Sequence, residues 1–299
     1  MKLTDQIKSP KDISSNSVVV TGVSSGIGEA IARYLLHSGY KVFGSVRKRE
    51  DADRLKDSMG DRFLPMLFDV RDIDAIRQEA TQVADSLNGR PLTALVNNAG
   101  LAAFGPMELL DDKQFNDIIA VNLIGVRNVT NAFLPLLRKT VVQGSQTHKK
   151  PGKIVNISSL SGILNTPMNG AYCVSKHALE SLNEIYRREL LSSGINVFTI
   201  RSGPIQSKIW MKNSQSLPPY ENPDYQRMRE NAQAIMDDAA SKAIPASVIA
   251  ELVHGIIENR KRKLSYEIGR GAVGAKLLSS WIPTRLADRL INRTLLKSK

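Results

Sequence analysis

A single cysteine, Cys173, rules out an intrachain disulfide and takes away the usual mark of an extracellular scaffold. No run of about 18 apolar residues occurs, so a membrane-crossing helix is not expected. The first ten residues, Met1 to Pro10, are polar and lack the apolar stretch of a secretory signal, and a cytoplasmic placement inside the cell is the expectation. Three glycosylation patterns start at Asn128, Asn156 and Asn292, but the first two fall in segments that read as buried. Zinc-ligand clusters, internal repeats and long low-complexity segments are missing, so no metal is expected. Acidic residues are in short supply as well: 29 against 41 Lys and Arg leave a net charge of +12. Most of that excess is local, because residues 259–299 hold eleven Lys or Arg against Glu267 and Asp288 alone. A local excess of this kind suits nucleic-acid or membrane contact, and equally a solvated basic face. No recognised nucleic-acid-binding motif accompanies it, so no nucleic-acid partner is expected.

What is present is enough for one sizeable core: 299 residues, 42% of them hydrophobic. Short β-branched or apolar runs at Ser17–Val20, Lys41–Val46, Phe63–Phe68, Ala94–Val96, Lys153–Ile157, Asn196–Ile200 and Leu264–Ile268 read as strands. Between them, 26–38, 72–87, 112–138 and 171–191 carry apolar residues at helical spacing. The alternation predicts an α/β fold: a doubly wound, Rossmann-like parallel sheet of about seven strands with helices on both faces. The whole chain, 1–299, is expected to form a single catalytic domain. Residues 139–152 read as a polar surface loop. The proline-bearing stretch 207–245 reads as a substrate-lid insertion, and 270–299 as a basic amphipathic tail.

The first strand runs into Thr21-Gly22-Val23-Ser24-Ser25-Gly26-Ile27-Gly28, after which a helix begins. Glycines there permit a tight turn and close approach of a pyrophosphate, and the helix N-terminus offers free N–H groups to its charge. A competing pattern is hidden in the same octet. Gly22-Val-Ser24-Ser-Gly26 satisfies G-x-S-x-G, which would make Ser24 a hydrolase nucleophile served by His148, His177 or His254. Its place after the first strand, rather than after several, argues against that reading. Beyond the second strand come Val46-Arg47-Lys48-Arg49, where an NAD site would carry an acid for the ribose 2′-hydroxyl. A cation suits a 2′-phosphate instead, so NADP(H) is preferred to NAD(H), unless Arg47 belongs to an exposed basic loop.

Tyr172 and Lys176 are four residues apart on a predicted helix and so share one face. An ammonium beside a phenol favours the phenolate and makes it a better base near neutral pH. Taken in order, Thr21-Gly-x-x-x-Gly-x-Gly28, Asn97-Asn98-Ala99-Gly100, Asn122, Ser159 and Tyr172-x-x-x-Lys176 resemble the short-chain dehydrogenase/reductase family, in its principal branch of single-domain enzymes. The resemblance covers residues 16–206 and the seventh strand, and the Gly203-Pro204 order is similar to that of steroid- and retinol-dehydrogenase-like members. It implies Tyr172 as general acid in reduction and base in oxidation. Lys176 would bind the nicotinamide ribose and depress the tyrosine pKa. Ser159 would hydrogen-bond the substrate oxygen, and Asn122 would position a relay water. It further implies cofactor contacts by Gly22, Ser24, Ser25, Gly26, Ile27, Gly28, Arg47, Asp69, Val70, Asn98, Ala99, Gly100, Tyr172, Lys176, Pro204, Ile205 and Ser207. Asn97 supports the central sheet on either reading.

These positions define a reaction, interconversion of a ketone or aldehyde with an alcohol by hydride transfer, but not a substrate. Leu160, Ile163, Leu164, Met168, Trp210 and Met211 are expected to face the pocket, which implies an apolar, steroid-, retinoid- or lipid-like ligand. An idle NADP(H)-binding sensor is the alternative, although such a protein has no need of Asn122, Ser159, Tyr172 and Lys176 together. His177 and Cys173 read as structural. By resemblance a homodimer or homotetramer is expected through helices 112–138 and 171–191. The tail places Leu277, Leu278, Trp281, Ile282, Leu286, Leu290 and Leu295 among arginines, with Pro283 dividing two short helices. It would lie peripherally on a membrane, close the pocket or complete a dimer.

Overall fold

Strand β1 (Ser17–Val20) is buried at every position, as a strand covered on both faces must be. It pairs in parallel with β2 (Lys41–Val46) on one side and β4 (Ala94–Asn97) on the other. With β3 (Phe63–Leu67), β7 (Lys153–Ser159), β8 (Asn196–Ser202) and β9 (Ser265–Ile268) they form a parallel seven-stranded sheet of order β3-β2-β1-β4-β7-β8-β9. The computed structural model describes residues 16–138, 141–143, 146–148, 152–206, 219–261, 263–272, 274–275 and 282–296.

Alternation along the central strand divides the core in two. Val18 and Val20 face one layer, where Ile31 and Leu35 of helix α1 (Gly26–His37) meet Ile249 and Val253. Val19 faces the other, with Ile76 and Val83 of α3 (Ile73–Leu87) and Phe133 and Leu137. The crossovers therefore place helices on both faces, as expected.

Several helices depart from expectation. Helix α2 (Arg49–Met59) was not among the expected helices; it buries only Ala52 and Leu55, too little to show a period, and the exposed Arg47 and Lys48 precede it in a bend. The 112–138 segment is not one regular helix. A π-helical stretch, Ala120–Gly125, separates α4 (Asp112–Ile119) from α5 (Val126–Arg138). By length and composition this run could cross a membrane, contrary to the sequence expectation, yet 56% of its most apolar window is buried inside the fold. Residues 139–152 are not simply a loop: β5 (Val141–Gln143) and β6 (Gln146–His148) pair there as an antiparallel hairpin. Helix α6 (Gly170–Glu189) follows β7.

Inside the stretch read as a lid lies α7 (Pro223–Ser241). Its start is legible: Asn222 accepts from the N–H groups of Asp224 and Tyr225, and Pro223 occupies the first turn. Residues 207–218 lie outside the described residues. Helix α8 (Ala246–Ile257) buries seven of its residues, and such near-continuous apolar character conceals a helical period. The tail contributes α9 (Thr284–Leu295) after Pro283; Leu277, Leu278 and Trp281 lie outside the described residues.

Candidate active site

The glycine turn is built by backbone contacts that a side chain would prevent. Gly22 has φ +69°, and a Cβ on it would come within 2.9 Å of Ala99 Cα; one on Gly28 would collide with the Gly22 carbonyl. Thr21 and Asn98 lock the turn to β4. Thr21 Oγ1 accepts from the N–H groups of Asn98 and Ala99, at 2.9 and 3.0 Å, while Asn98 Nδ2 donates to the carbonyls of Thr21 and Gly22. Ser25, at the N-cap of α1, makes no side-chain capping bond, so the helix start is left uncapped.

That helix start lines a polar cleft of about 440 Å³ along the carboxyl ends of β1, β2 and β4. Of the cofactor contacts expected from sequence, Gly22, Ser24, Ser25, Gly26 and Ile27 line it, as do Arg47, Asp69 and Val70. Asn98, Ala99, Gly100, Tyr172, Lys176 and Ile205 line it too. Two of the expected contacts do not line it. Gly28 is buried behind the turn, where its role is close packing, and Pro204 lines an adjoining cavity instead. Ser207 lies outside the described residues. Sequence reasoning missed Ser45, whose Oγ accepts from Gly22 N–H at 3.0 Å, and Leu101, Ser202 and Gly203, which also line the cleft. Only Ser45 had a usable signal, as a buried hydroxyl two residues before Arg47.

The donor set fits a dinucleotide. The uncapped α1 start suits a pyrophosphate, and Arg47 supplies a cation where β2 ends. Asp69 is the one carboxylate on the described cleft wall, and it is already engaged. Arg71 grips both its oxygens, at 3.0 and 2.8 Å, holding the carboxyl below its usual range, and reaches Asp117 at 2.8 Å as well.

Tyr172, Lys176 and Ser159 converge at the inner end of the cleft. Lys176 Nζ donates to the Ile157 carbonyl at 2.9 Å and lies 5.6 Å from the centre of the Tyr172 ring. Burial pulls this lysine down to about 8, opposed by the charge of Glu180 one turn along α6. Burial likewise pushes the Tyr172 phenol up to about 12, while its hydrogen bond with Ser159 acts in the opposite direction. Desolvation is the largest influence on the phenol, and the lysine ammonium is turned to a backbone carbonyl.

Asn122 is fully buried in the π-helical turn and lines neither cavity wall. Its Oδ1 accepts from Leu101 N–H at 2.7 Å, and its Nδ2 donates to Leu101 O and Ser175 Oγ. Asn97 is likewise structural, donating to Thr130 and Asn156 in a buried chain of amides that continues through Asn183 to Thr199. The hydrolase alternative finds no support among the described residues. His177 Nδ1 is engaged with the Cys173 carbonyl, and His254 sits against Tyr34 and Tyr40. His177 and buried Cys173 are placed as the structural residues expected.

A second cavity, about 1100 Å³, meets the cleft at Gly26, Ser159, Ser202, Gly203 and Ile205, which line both. Leu160, Leu164 and Met168 line it as expected, whereas Ile163 does not; Trp210 and Met211 lie outside the described residues. Its far wall comes from α7 and α9, through residues such as Ala232, Met236, Ile291 and Leu295. Asn231 Nδ2 donates to the Leu295 carbonyl at 2.8 Å and ties the two helices together. The tail helix is therefore a cavity wall.

Comparison with known proteins agrees with this arrangement. A short chain dehydrogenase family profile matches residues 16–218. The NADPH-dependent 3-dehydrocapnine reductase of Ornithobacterium rhinotracheale is 33% identical over 279 residues, covering 93% of this chain and 97% of that protein. Retinol dehydrogenase 7 of Rattus norvegicus is 27% identical over 303 residues, covering 97% of this chain and 92% of that one. A solved short-chain dehydrogenase from Streptomyces avermitilis superposes with a TM-score of 0.73 at 26% identity, covering 93% of this chain and 94% of that one. With a family match over residues 16–218 and a relative 33% identical along nearly the whole of both chains, the chain belongs to the short-chain dehydrogenase family of oxidoreductases.

Proposed function

We propose that the protein interconverts a ketone or aldehyde and an alcohol on a large apolar, lipid-like molecule, using NADP(H). The observation that carries this reading is the seam itself. Ser159 stands on both the polar cleft and the apolar cavity, with Tyr172 and Lys176 beside it. A cavity near 1100 Å³ exceeds the ordinary small-ligand range and suits a sterol-sized or long-chain substrate. Arg47 in the cleft wall, and the NADPH dependence of the reductase from Ornithobacterium rhinotracheale, favour NADP(H) over NAD(H).

When bound, the dinucleotide supplies or accepts the hydride at the carbinol carbon. The chain's own residues manage the oxygen. Ser159 Oγ donates a hydrogen bond to it as negative charge develops, and Tyr172 gives it the phenolic proton in reduction. A phenol is protonated at neutral pH, so the side chain carries the proton that reduction requires. Lys176, held by the Ile157 carbonyl, would bind the ribose of a cofactor in the cleft, and its ammonium stabilises the Tyr172 phenolate left as the proton leaves. The Asn122 amide is spent on Leu101 and Ser175, so a relay water there falls to its backbone. A homo-oligomer through the middle helices is supported by exposed Ile124, Val174 and Ile185 on the π-helical turn and α6.

The test is a panel of carbonyl substrates from short to long chain, run with NADPH and NADH, on wild type and Tyr172→Phe. We expect NADPH to be favoured by at least about tenfold in kcat/KM, the scale of one charge-assisted bond. The variant should lose turnover while retaining NADPH affinity within a few-fold by fluorescence titration. Retention of a tenth of wild-type activity would remove Tyr172 from the proton-transfer role.

A further inference from the structure

The cavity opens where α7 and α9 part, and its mouth is apolar on the outside as well. Ile235 of α7 and Leu290 of α9 both line the cavity, yet are 45% and 44% exposed. Leu286, one turn before Leu290 on the same side of α9, is 47% exposed. Around the helix from these leucines runs a second column, Arg285, Arg289 and Arg293, at intervals of four. All three are exposed, and none has a carboxylate partner among the described residues. The inner side of the helix, Ile291 and Leu295, is already committed to α7 and the cavity.

We propose that this mouth docks on an anionic bilayer surface, with Leu286, Leu290 and Ile235 entering the interface and the three arginines on lipid headgroups, so that an apolar substrate passes from the lipid phase directly into the cavity. An amphipathic helix with leucines on one side and unpaired arginines beside them matches the interface of an anionic membrane in both apolarity and charge. Such a surface also explains why apolar side chains that line the cavity are left exposed between α7 and α9. The docking rests on the surface alone; the transfer of substrate rests on the reading of the cavity given above.

The test is sedimentation of the full-length protein with vesicles of phosphatidylcholine alone and of phosphatidylcholine containing phosphatidylglycerol. Binding is expected to the anionic vesicles at low salt, and to weaken as salt shortens the screening length. The triple variant Arg285→Glu/Arg289→Glu/Arg293→Glu should lower vesicle affinity at least ~30-fold, given the attraction of each basic residue to such a surface. It should leave kcat/KM for a small water-soluble carbonyl unchanged, and Leu286→Ser should weaken binding with the salt dependence intact. Equal binding to neutral and anionic vesicles, or wild-type binding by the triple variant, overturns the proposal. Self-association through this face without vesicle binding assigns it to a second copy of the chain and overturns it equally. Vesicle binding by a protein that reduces no carbonyl supports the docking surface and rejects the catalytic reading. Turnover without vesicle binding does the reverse.

Discussion

Burying an ammonium costs free energy that an exposed one does not incur, and Lys176 incurs it one turn from Tyr172. Its pKa drops from 10.5 to about 8 as a result. Between those values the unfolded chain carries more protons than the folded one, so this residue makes stability rise with pH across the window. Below pH 8 the full cost remains. Lys176→Met has no such dependence. Across the interval from pH 8 to 10.5 the wild type should therefore gain on the variant by on the order of 2 kcal/mol, read from paired urea titrations. Using the difference between the two proteins cancels the other titrating groups. A constant difference would mean that the lysine is not desolvated. At every pH the variant should be inactive, because the cation facing the cleft is gone.

Among elements, the junction of α6, β8 and β9 carries the charge arrangement with most at stake. Arg201 of β8 bonds Glu180 of α6 at 2.8 Å and Glu267 of β9 at 2.7 Å, with all three side chains mostly buried. Arg201→Met would leave two carboxylates facing each other without a counter-charge, at a cost of about 3–5 kcal/mol. Urea denaturation checks it, and a loss below about 1 kcal/mol would show that solvent reaches the pair. Such a junction could not be read from the sequence, because the three residues lie on separate elements and each resembles an ordinary surface charge. Strands β1 and β4 were legible because burial on both faces demands continuous apolar residues. The Tyr172–Lys176 pair was legible because a helix fixes its spacing. Helix α8 escaped for the reason that made β1 visible, since continuous apolarity carries no period. Ser202 and Gly203 escaped because what places them on the cleft is strand pairing between β7 and β8.

At the scale of the molecule, the carboxyl ends of β1, β2 and β4 line the cleft on one side and residues from β7 to Ile205 on the other, while α7 and α9 add the far wall of the second cavity. Deleting residues 284–299 should accordingly separate the two functions. Loss of the α9 wall is expected to reduce kcat/KM for bulky apolar carbonyls at least ~10-fold and to change it less than ~2-fold for small ones, with NADPH affinity unaltered. Steady-state kinetics on both substrate classes decides it, and equal losses for both would place α9 in general stability instead. The sheet order also has a consequence for how the protein is made. Strand β1 lies between β2 and β4, so its second edge stays bare until Ala94–Asn97 has been synthesised. At ordinary translation rates, adding the residues between Val20 and Ala94 takes about 4–15 s. For that interval Val18-Val19-Val20 presents an apolar strand edge to every other nascent chain nearby.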